Sequence, residues 1–165
     1  MKIIVRPFTF DDLSDILEIV NFNILNTTSV YDYDARTSIQ QKSVLQDKLD
    51  KNFPFLVADY EGKIVGYGTY GEFRFKKAYQ FTVEHSLYID QKFHGLGIGR
   101  LLLTELIAIA KANKIHTMVA VIDSENQSSV DFHKKFGFDT IGVIKESGFK
   151  FNRWLHSVLM QLMLE

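Results

Sequence analysis

Three alternating glycines join a predicted strand to a predicted helix near the middle of the chain. They lie in the segment His94-Gly95-Leu96-Gly97-Ile98-Gly99-Arg100, which an apolar-periodic run follows directly. A turn of this kind leaves several backbone N–H groups free at the start of a helix, where they and the positive end of the helix dipole can hold a phosphate. The segment therefore predicts a site for a phosphorylated cofactor.

Two other classes of phosphate-binding turn do not fit these residues. A P-loop requires Gly-Lys-Ser or Gly-Lys-Thr at the helix start, whereas Arg100 and Leu101 follow Gly99 and offer no hydroxyl group to magnesium. A dinucleotide fingerprint requires G-x-G-x-x-G in a first strand–turn–helix unit, whereas the spacing here is G-x-G-x-G and lies past mid-chain. Both classes are therefore excluded.

Length and composition limit the kind of protein that can carry this turn. The chain has 165 residues, of which 46% are hydrophobic and 13% aromatic, so one globular domain over residues 1–165 is expected. It has no cysteine, which excludes a thiol nucleophile, a disulfide and a thiolate metal site. The net charge of -1 gives no reason to expect nucleic acid or a membrane as partner. Its first residues lack the apolar core of a signal peptide, so we expect a cytoplasmic location.

Hydrophobic periodicity predicts alternating strands and helices around the turn. The predicted strands cover residues 2–6, 55–60, 63–70, 78–89, 117–122, 139–146 and 154–164. The first predicted helix begins after the cap Thr9-Phe10-Asp11-Asp12. The other predicted helices cover residues 38–51, 100–113 and 128–136. The fold class that follows is α+β, with a mixed sheet and helices on both of its faces.

The glycine segment resembles the acyl-CoA loop of the GNAT superfamily of N-acetyltransferases, whose pattern is Gln/Arg-x-x-Gly-x-Gly/Ala. His94 stands where that pattern has Gln or Arg. A second feature of the superfamily is an Asn followed seven residues later by Tyr and then by Lys-x-Gly-Phe. Here Asn126 is followed by His133 in the tyrosine position and then by Lys135-Phe136-Gly137-Phe138. The order of the predicted elements also resembles that of the superfamily.

Further segments are similar to one branch, the phosphinothricin and methionine sulfone or sulfoximine N-acetyltransferases. They are His133 itself, Thr82-Val83-Glu84 ahead of the glycine loop, and Ser147-Gly148-Phe149-Lys150 followed by Trp154. Arg6-Pro7 near the N-terminus also matches, so the resemblance covers nearly the whole chain. It implies the GNAT fold, a mixed twisted β-sheet with helices on both faces and a splayed pair of strands that binds acyl-CoA.

The resemblance also implies acetyl-CoA as co-substrate, and no metal. Backbone groups of Leu87, Tyr88 and Ile89 would then contact the pantetheine, and the side chain of Asn126 would reach it while also capping the following helix. The pyrophosphate would be held by His94, Gly95, Leu96, Gly97, Ile98, Gly99 and Arg100.

Glu84 is the residue expected to act as general base. A primary amine is mostly ammonium at neutral pH and attacks a thioester only after it loses a proton, which a carboxylate can accept. Burial between Val83 and Phe81 would raise the pKa of this carboxyl group; an exposed place on the strand is the alternative. His133, in the position of the superfamily's tyrosine, is expected to protonate the leaving thiolate or to hydrogen-bond its sulfur, with a structural or surface place on its helix as the alternative.

A basic segment ahead of the Thr-Val-Glu strand is the expected site for the carboxylate of the acceptor. Arg74 matches the first arginine of an Arg-x-Arg-x-Ala-Tyr pattern in the similar branch, and Lys76 replaces the second. The residues expected at the acceptor are Arg74, Phe75, Lys76, Val83, Glu84 and His85. A solvated basic loop is the alternative.

The expected reaction is therefore direct transfer of an acetyl group to the α-amino group of a small amino-acid-like acceptor, such as methionine sulfone, methionine sulfoximine or phosphinothricin. Another amine remains open, namely a protein N-terminus, a polyamine or an aminoglycoside, as does a non-catalytic acyl-CoA-binding module. We also expect a homodimer.

Overall fold

The computed structural model describes residues 2–165. In this part of the chain, alternating and continuous apolar runs form seven strands. The strands are β1 (Ile3–Pro7), β2 (Phe55–Tyr60), β3 (Lys63–Glu72), β4 (Thr82–Ile89), β5 (Thr117–Asp123), β6 (Asp139–Lys150) and β7 (Arg153–Met163). The helices are α1 (Leu13–Asn26), α2 (Ser38–Asp50), α3 (Ile98–Ala112) and α4 (Gln127–Lys135).

The strands form one mixed sheet in the order β1-β2-β3-β4-β5-β7-β6. The contact between β4 and β5 is parallel, and the other neighbouring pairs are antiparallel. β4 and β5 pair only from Thr82 with Thr117 to Glu84 with Val119. Beyond Glu84 the two strands separate, while β4 stays paired with β3 up to Ile89. The expected splayed strand pair is thereby confirmed.

Each face of the sheet is covered by helices that bury an apolar stripe. On one face α3 buries Leu102, Leu103 and Leu106 in a cluster that also contains Val130 of α4. On the other face a second cluster contains residues of α1 and α2, namely Ile16, Ile19, Val20, Ile24 and Leu45. The α+β architecture with helices on both faces is therefore confirmed.

Most predicted elements agree with the structure, but the strand predicted over residues 78–89 is wrong at its start. Lys77–Tyr79 form a 3₁₀ turn, and β4 begins at Thr82. The neighbouring strand β3 ends at Glu72, which pairs with Val83, so the residues before Thr82 have no strand beside them on that side. β6 runs four residues past its predicted end at 146, with a break in its pairing between Ile144 and Gly148.

Candidate active site

The splay between β4 and β5 opens two cavities that meet along β4. The smaller, of about 380 Å³, contains Glu84, His85, Asn126 and His133 in its wall. The larger, of about 920 Å³, follows the glycine loop and the start of α3. Residues that border both cavities are Ser29, Leu87, Tyr88, Asn126, Ser129 and Phe132. A long ligand can therefore extend from the glycine loop to Glu84 in one continuous groove.

The glycine loop has the backbone conformation that a phosphate site requires. Gly95 and Gly97 both have φ of +79°, in the left-handed region that favours glycine. The first helical hydrogen bond of α3 runs from the Leu101 N–H to the Gly97 carbonyl at 3.2 Å, so the N–H groups of residues 98–100 precede the helical ladder. The side chain of His94 turns back to the Ile89 carbonyl at 3.1 Å. These N–H groups and the positive end of the helix dipole lie at the end of the larger cavity, an arrangement that favours an anion.

Glu84 lies at the last paired position before the strands separate. Its side chain is half-buried, and desolvation raises the pKa of the carboxyl group, while the positive charges of Arg74 and Lys48 oppose that rise. Desolvation favours proton acceptance near neutral pH, and the two cations favour the ionised form. This carboxylate is therefore suited to accept a proton from a ligand in the smaller cavity.

His85 and His133 form a buried pair in the wall of the same cavity. Their Nε2 atoms are 3.0 Å apart, and His133 Nδ1 lies 2.7 Å from the Ser129 carbonyl. A carbonyl only accepts, so His133 Nδ1 carries the proton, His133 Nε2 accepts, and His85 Nε2 donates. Burial lowers the pKa of His133 and lowers that of His85 to about 3, so both rings are neutral. His85 Nδ1 is then a buried lone pair that has no partner among residues 2–165.

Asn126 caps α4, as expected, and its contact with the pantetheine stays a prediction. Its side-chain oxygen accepts the Ser129 N–H at 3.1 Å and caps α4. The same residue borders both cavities, where β5 and α4 meet. The helix cap thus holds the side chain at the junction of the groove.

The predicted acceptor residues do not all reach the cavities at Glu84. Arg74 is exposed, stacks on Phe73 with 5.0 Å from guanidinium to ring centre, and lies near enough to Glu84 to influence its pKa. Phe75 is 89% exposed, and Lys76 is exposed beside it. Val83 faces the core that α3 covers. Glu84 and His85 border the smaller cavity, whereas Arg74, Phe75, Lys76 and Val83 surround a separate cleft of about 110 Å³.

Comparison with known proteins decides the family. A family model described as an acetyltransferase (GNAT) domain matches residues 5–159. The chain belongs to the GNAT acetyltransferase family. An L-methionine sulfoximine/L-methionine sulfone acetyltransferase of Pseudomonas aeruginosa is 36% identical over 100% of this chain and 96% of that protein.

Two crystal structures extend the comparison to the fold. An N-acetyltransferase from Staphylococcus aureus superposes with a TM-score of 0.98 and 38% identity, covering 100% of both chains. A phosphinothricin acetyltransferase from Sinorhizobium meliloti, in complex with acetyl-CoA, superposes with a TM-score of 0.95 and 33% identity, covering 99% of this chain and 89% of the other. The expected GNAT fold and N-acetyltransferase class are thereby confirmed.

Two features are absent from residues 2–165 of this GNAT acetyltransferase. Within residues 2–165, no group of three or more His, Asp or Glu side chains is arranged to hold a metal ion. In the same part of the chain, no helix has both the length and the apolar character needed to cross a membrane.

A feature of this GNAT acetyltransferase that sequence reasoning missed is the attachment of the loop after α1. Lys150 Nζ is buried and donates to the carbonyls of Ile24, Thr27 and Val30 at 2.6, 2.8 and 2.5 Å. A Cβ on Gly148 would lie 2.5 Å from the Tyr31 ring, so only glycine admits this ring. Residues 28–31 form one wall of the smaller cavity. The motif Ser147-Gly148-Phe149-Lys150 therefore holds that wall in place.

Lys150→Met should lower the free energy of unfolding by about 2–5 kcal/mol, because it leaves three buried carbonyls without their donor. Lys145→Met is the matched control, since Lys145 is exposed on the same strand, and its unfolding free energy should stay near that of the wild type. Denaturant unfolding of both variants measures the difference. Equal stability of the two variants would show that the three contacts contribute nothing.

Proposed function

We propose that this GNAT acetyltransferase moves the acetyl group of acetyl-CoA directly to the α-amino group of a small amino-acid-like acceptor, of the methionine sulfone, methionine sulfoximine or phosphinothricin type. The observation that carries the proposal is Glu84, a half-buried carboxylate with two cations near it, at the inner end of a groove that begins at the glycine loop. The substrates named for the two similar acetyltransferases support the choice of acceptor.

Acetyl-CoA fits the larger cavity as the donor substrate. Gly95 and Gly97 leave the approach to the backbone clear, since a Cβ on either would meet nothing within 4 Å. The pyrophosphate would lie on the N–H groups that precede the ladder of α3, and Arg100 adds a positive charge there. The backbone of Leu87, Tyr88 and Ile89 lies where β4 has left β5, and it would pair with the pantetheine while Asn126 reaches it from the other side.

Glu84 would take the proton of the acceptor amine. The freed lone pair attacks the thioester carbonyl, the C–N bond forms, and the C–S bond then breaks to release the CoA thiolate. The chain has no cysteine to carry an acetyl group, which favours direct transfer. We place the oxyanion at the backbone N–H of Leu87, on the splayed part of β4.

The general-acid role of His133 stays a prediction. Its ring borders the smaller cavity, but the Nδ1 proton is directed at the Ser129 carbonyl, and Nε2 accepts from His85. In this arrangement the ring presents no proton to a thiolate, and its lowered pKa disfavours the imidazolium form. Its contacts favour a role in shaping the cavity, with water or the ammonium nitrogen of the tetrahedral intermediate as the proton source for the thiolate.

The charges near Glu84 favour an anionic acceptor over a polyamine or an aminoglycoside. Arg74 and Lys48 are the cations that act on the Glu84 carboxyl, and Lys76 and Lys77 follow in the same basic loop. Arg74 would bind a carboxylate or phosphinate oxygen of the acceptor. A polycation would meet repulsion at this entrance.

CoA release tests the proposed function directly. The purified chain is assayed with acetyl-CoA against free amino acids, their sulfone, sulfoximine and phosphinate analogues, a polyamine, an aminoglycoside and a peptide with a free N-terminus. We expect the highest kcat/KM with the small amino-acid analogues. A higher kcat/KM with the polyamine, the aminoglycoside or the peptide would move the assignment to that acceptor, and no turnover with any amine would favour a binding module.

A homodimer through β6 and β7 belongs to the same proposal. β6 is an edge strand, and it exposes Ile141, Val143 and Ile144, while Trp154 of β7 is 60% exposed. An apolar surface along an unpaired edge is typical of a strand that meets another protein surface. Sedimentation should give a mass of two chains. A cytoplasmic location and a single domain over residues 1–165 stay predictions.

A further inference from the structure

The cross-strand neighbour of Glu84 is a glycine, and a lysine from a helix occupies the space beside it. Gly71 of β3 pairs with Glu84 of β4, and side chains of paired residues project from the same face of a sheet. A Cβ on Gly71 would lie 2.8 Å from Lys48 Nζ. The ammonium group of Lys48 therefore lies where the side chain next to Glu84 would otherwise be.

This ammonium group can donate more hydrogen bonds than it does. Lys48 Nζ donates to the Tyr70 carbonyl at 2.9 Å, and it can donate two more hydrogen bonds. Within residues 2–165 no carboxylate forms a salt bridge with it, and Asp47 beside it pairs with Lys51 at 3.2 Å. Lys48 is half-buried, and desolvation lowers its pKa. The carboxylates of Asp47, Glu72 and Glu84 act on this charge from beyond salt-bridge distance, so its remaining N–H groups can still bind the carboxylate of a ligand.

A cleft connects Lys48 with the proposed catalytic carboxylate. It has a volume of about 310 Å³, and its walls include Lys48, Gly71, Glu84 and Ser86. Glu84 and Ser86 also border the cavity of about 380 Å³ that contains Asn126 and His133. The cleft thus reaches the site at Glu84 from the α2 side of the sheet.

An α-amino acid acceptor would bring its carboxylate close to Glu84, where a neighbouring cation would bind it. Its amino and carboxylate groups are bonded to the same carbon, so a base that takes the proton of the amine has the carboxylate within a few ångströms. Cβ atoms of directly paired strand residues are about 5 Å apart, and Lys48 Nζ lies beside the Cβ position of Gly71, so one small acceptor can contact both Glu84 and Lys48. We propose that Lys48 binds the α-carboxylate of the acceptor, together with Arg74, and that Lys76 does not. This inference rests on the proposed function.

Lys76 is the cation that the sequence pattern favours for this contact, but its position differs. It is exposed in the loop after β3, and the small cleft that it borders includes neither Glu84 nor Ser86. Arg74 and Lys48 act on the pKa of Glu84, and Lys76 is not among the charges that do. Lys48 therefore takes the place of the second cation.

Two matched substitutions test the inference with two acceptors. Lys48→Met and Lys76→Met each remove one ammonium group, and each is assayed with methionine sulfone and with its α-amide, which lacks the carboxylate. At a pH above the acidic limb, where Glu84 stays ionised, Lys48→Met should raise KM for methionine sulfone by about tenfold or more while leaving KM for the amide and both kcat values near those of the wild type. The acidic limb itself should move to higher pH, because Lys48 no longer opposes the rise of the Glu84 pKa. Lys76→Met should leave all four values unchanged. Lys48→Arg keeps the charge and should retain most of the preference for the free acid.

Three results would overturn the inference. The first is an equal rise of KM for acid and amide in Lys48→Met, which indicates a structural role for Lys48. The second is a lower kcat of Lys48→Met with a shifted acidic limb of the pH–rate profile and an unchanged KM for methionine sulfone. That result indicates that Lys48 only adjusts the pKa of Glu84. The third is a selective rise in Lys76→Met instead. If the wild type acetylates other amines but neither of these acceptors, the proposed function itself has failed, and this inference falls with it.

Discussion

Glu84→Gln should lower kcat by about 10²–10⁴-fold, with acetyl-CoA affinity little changed. Glutamine keeps the size of the side chain and most of its hydrogen bonds, but it cannot accept the proton of the amine. The loss should appear at saturating acceptor concentration, because it affects the chemical step rather than binding. Steady-state kinetics with both substrates varied, together with calorimetric titration of acetyl-CoA, measure the two effects separately.

The pH dependence of Glu84→Gln follows from the direction of the Glu84 pKa shift. Desolvation raises this pKa, so the acidic limb of kcat/KM in the wild type should lie above the ordinary carboxyl range. As pH falls through that raised pKa, the carboxylate is protonated and activity is lost. The variant lacks this group, so its remaining dependence should report the pKa of the acceptor amine.

The competing role for Glu84 is binding of the acceptor ammonium group. It predicts a raised KM, a near-normal kcat at saturation and an unmoved acidic limb for Glu84→Gln. The fold should tolerate the change, since a raised folded-state pKa means that ionised Glu84 lowers stability at neutral pH, and glutamine removes that charge. A normal kcat in this variant would end the general-base proposal.

Gly97→Val should abolish measurable acetyl-CoA binding while the fold stays largely intact. A Cβ at this position meets nothing within 4 Å, so the substitution causes no clash inside the protein. It does place a branched side chain beside the N–H groups that precede α3, and it disfavours the φ of +79° that presents them. Calorimetric titration with acetyl-CoA measures the effect.

Gly62→Val is the matched control for the strain of a positive φ. Gly62 has φ of +90° in the turn between β2 and β3, and a Cβ there also meets nothing within 4 Å. Both variants should lose similar stability, about 1–2 kcal/mol, but Gly62→Val should bind acetyl-CoA as the wild type does. Unchanged affinity in folded Gly97→Val would reject the assignment of the loop.

The conformation of the glycine loop was predictable because its signal is local. Positive φ at Gly95 and Gly97 and a helix start at Ile98 depend on a few consecutive residues, which the sequence displays directly. The splay was predictable only through the family resemblance, since no residue in β4 shows that its partner β5 departs after three pairs. The strand start at Thr82 was mispredicted because it depends on where β3 ends.

Tertiary structure alone decided which residues far apart in the sequence come into contact. Lys48 and Tyr70 are 22 positions apart, His85 and His133 are 48 apart, and Lys150 and Ile24 are 126 apart. Sequence periodicity indicates which face of an element is buried, but not which residue of another element lies opposite. The sequence thus determined the conformation of the glycine turn and the order of elements, since backbone preference and periodicity act locally. Packing across the sheet determined that Lys48 neighbours Glu84 and that His133 fixes the tautomer of His85, because such contacts arise only once the chain is folded.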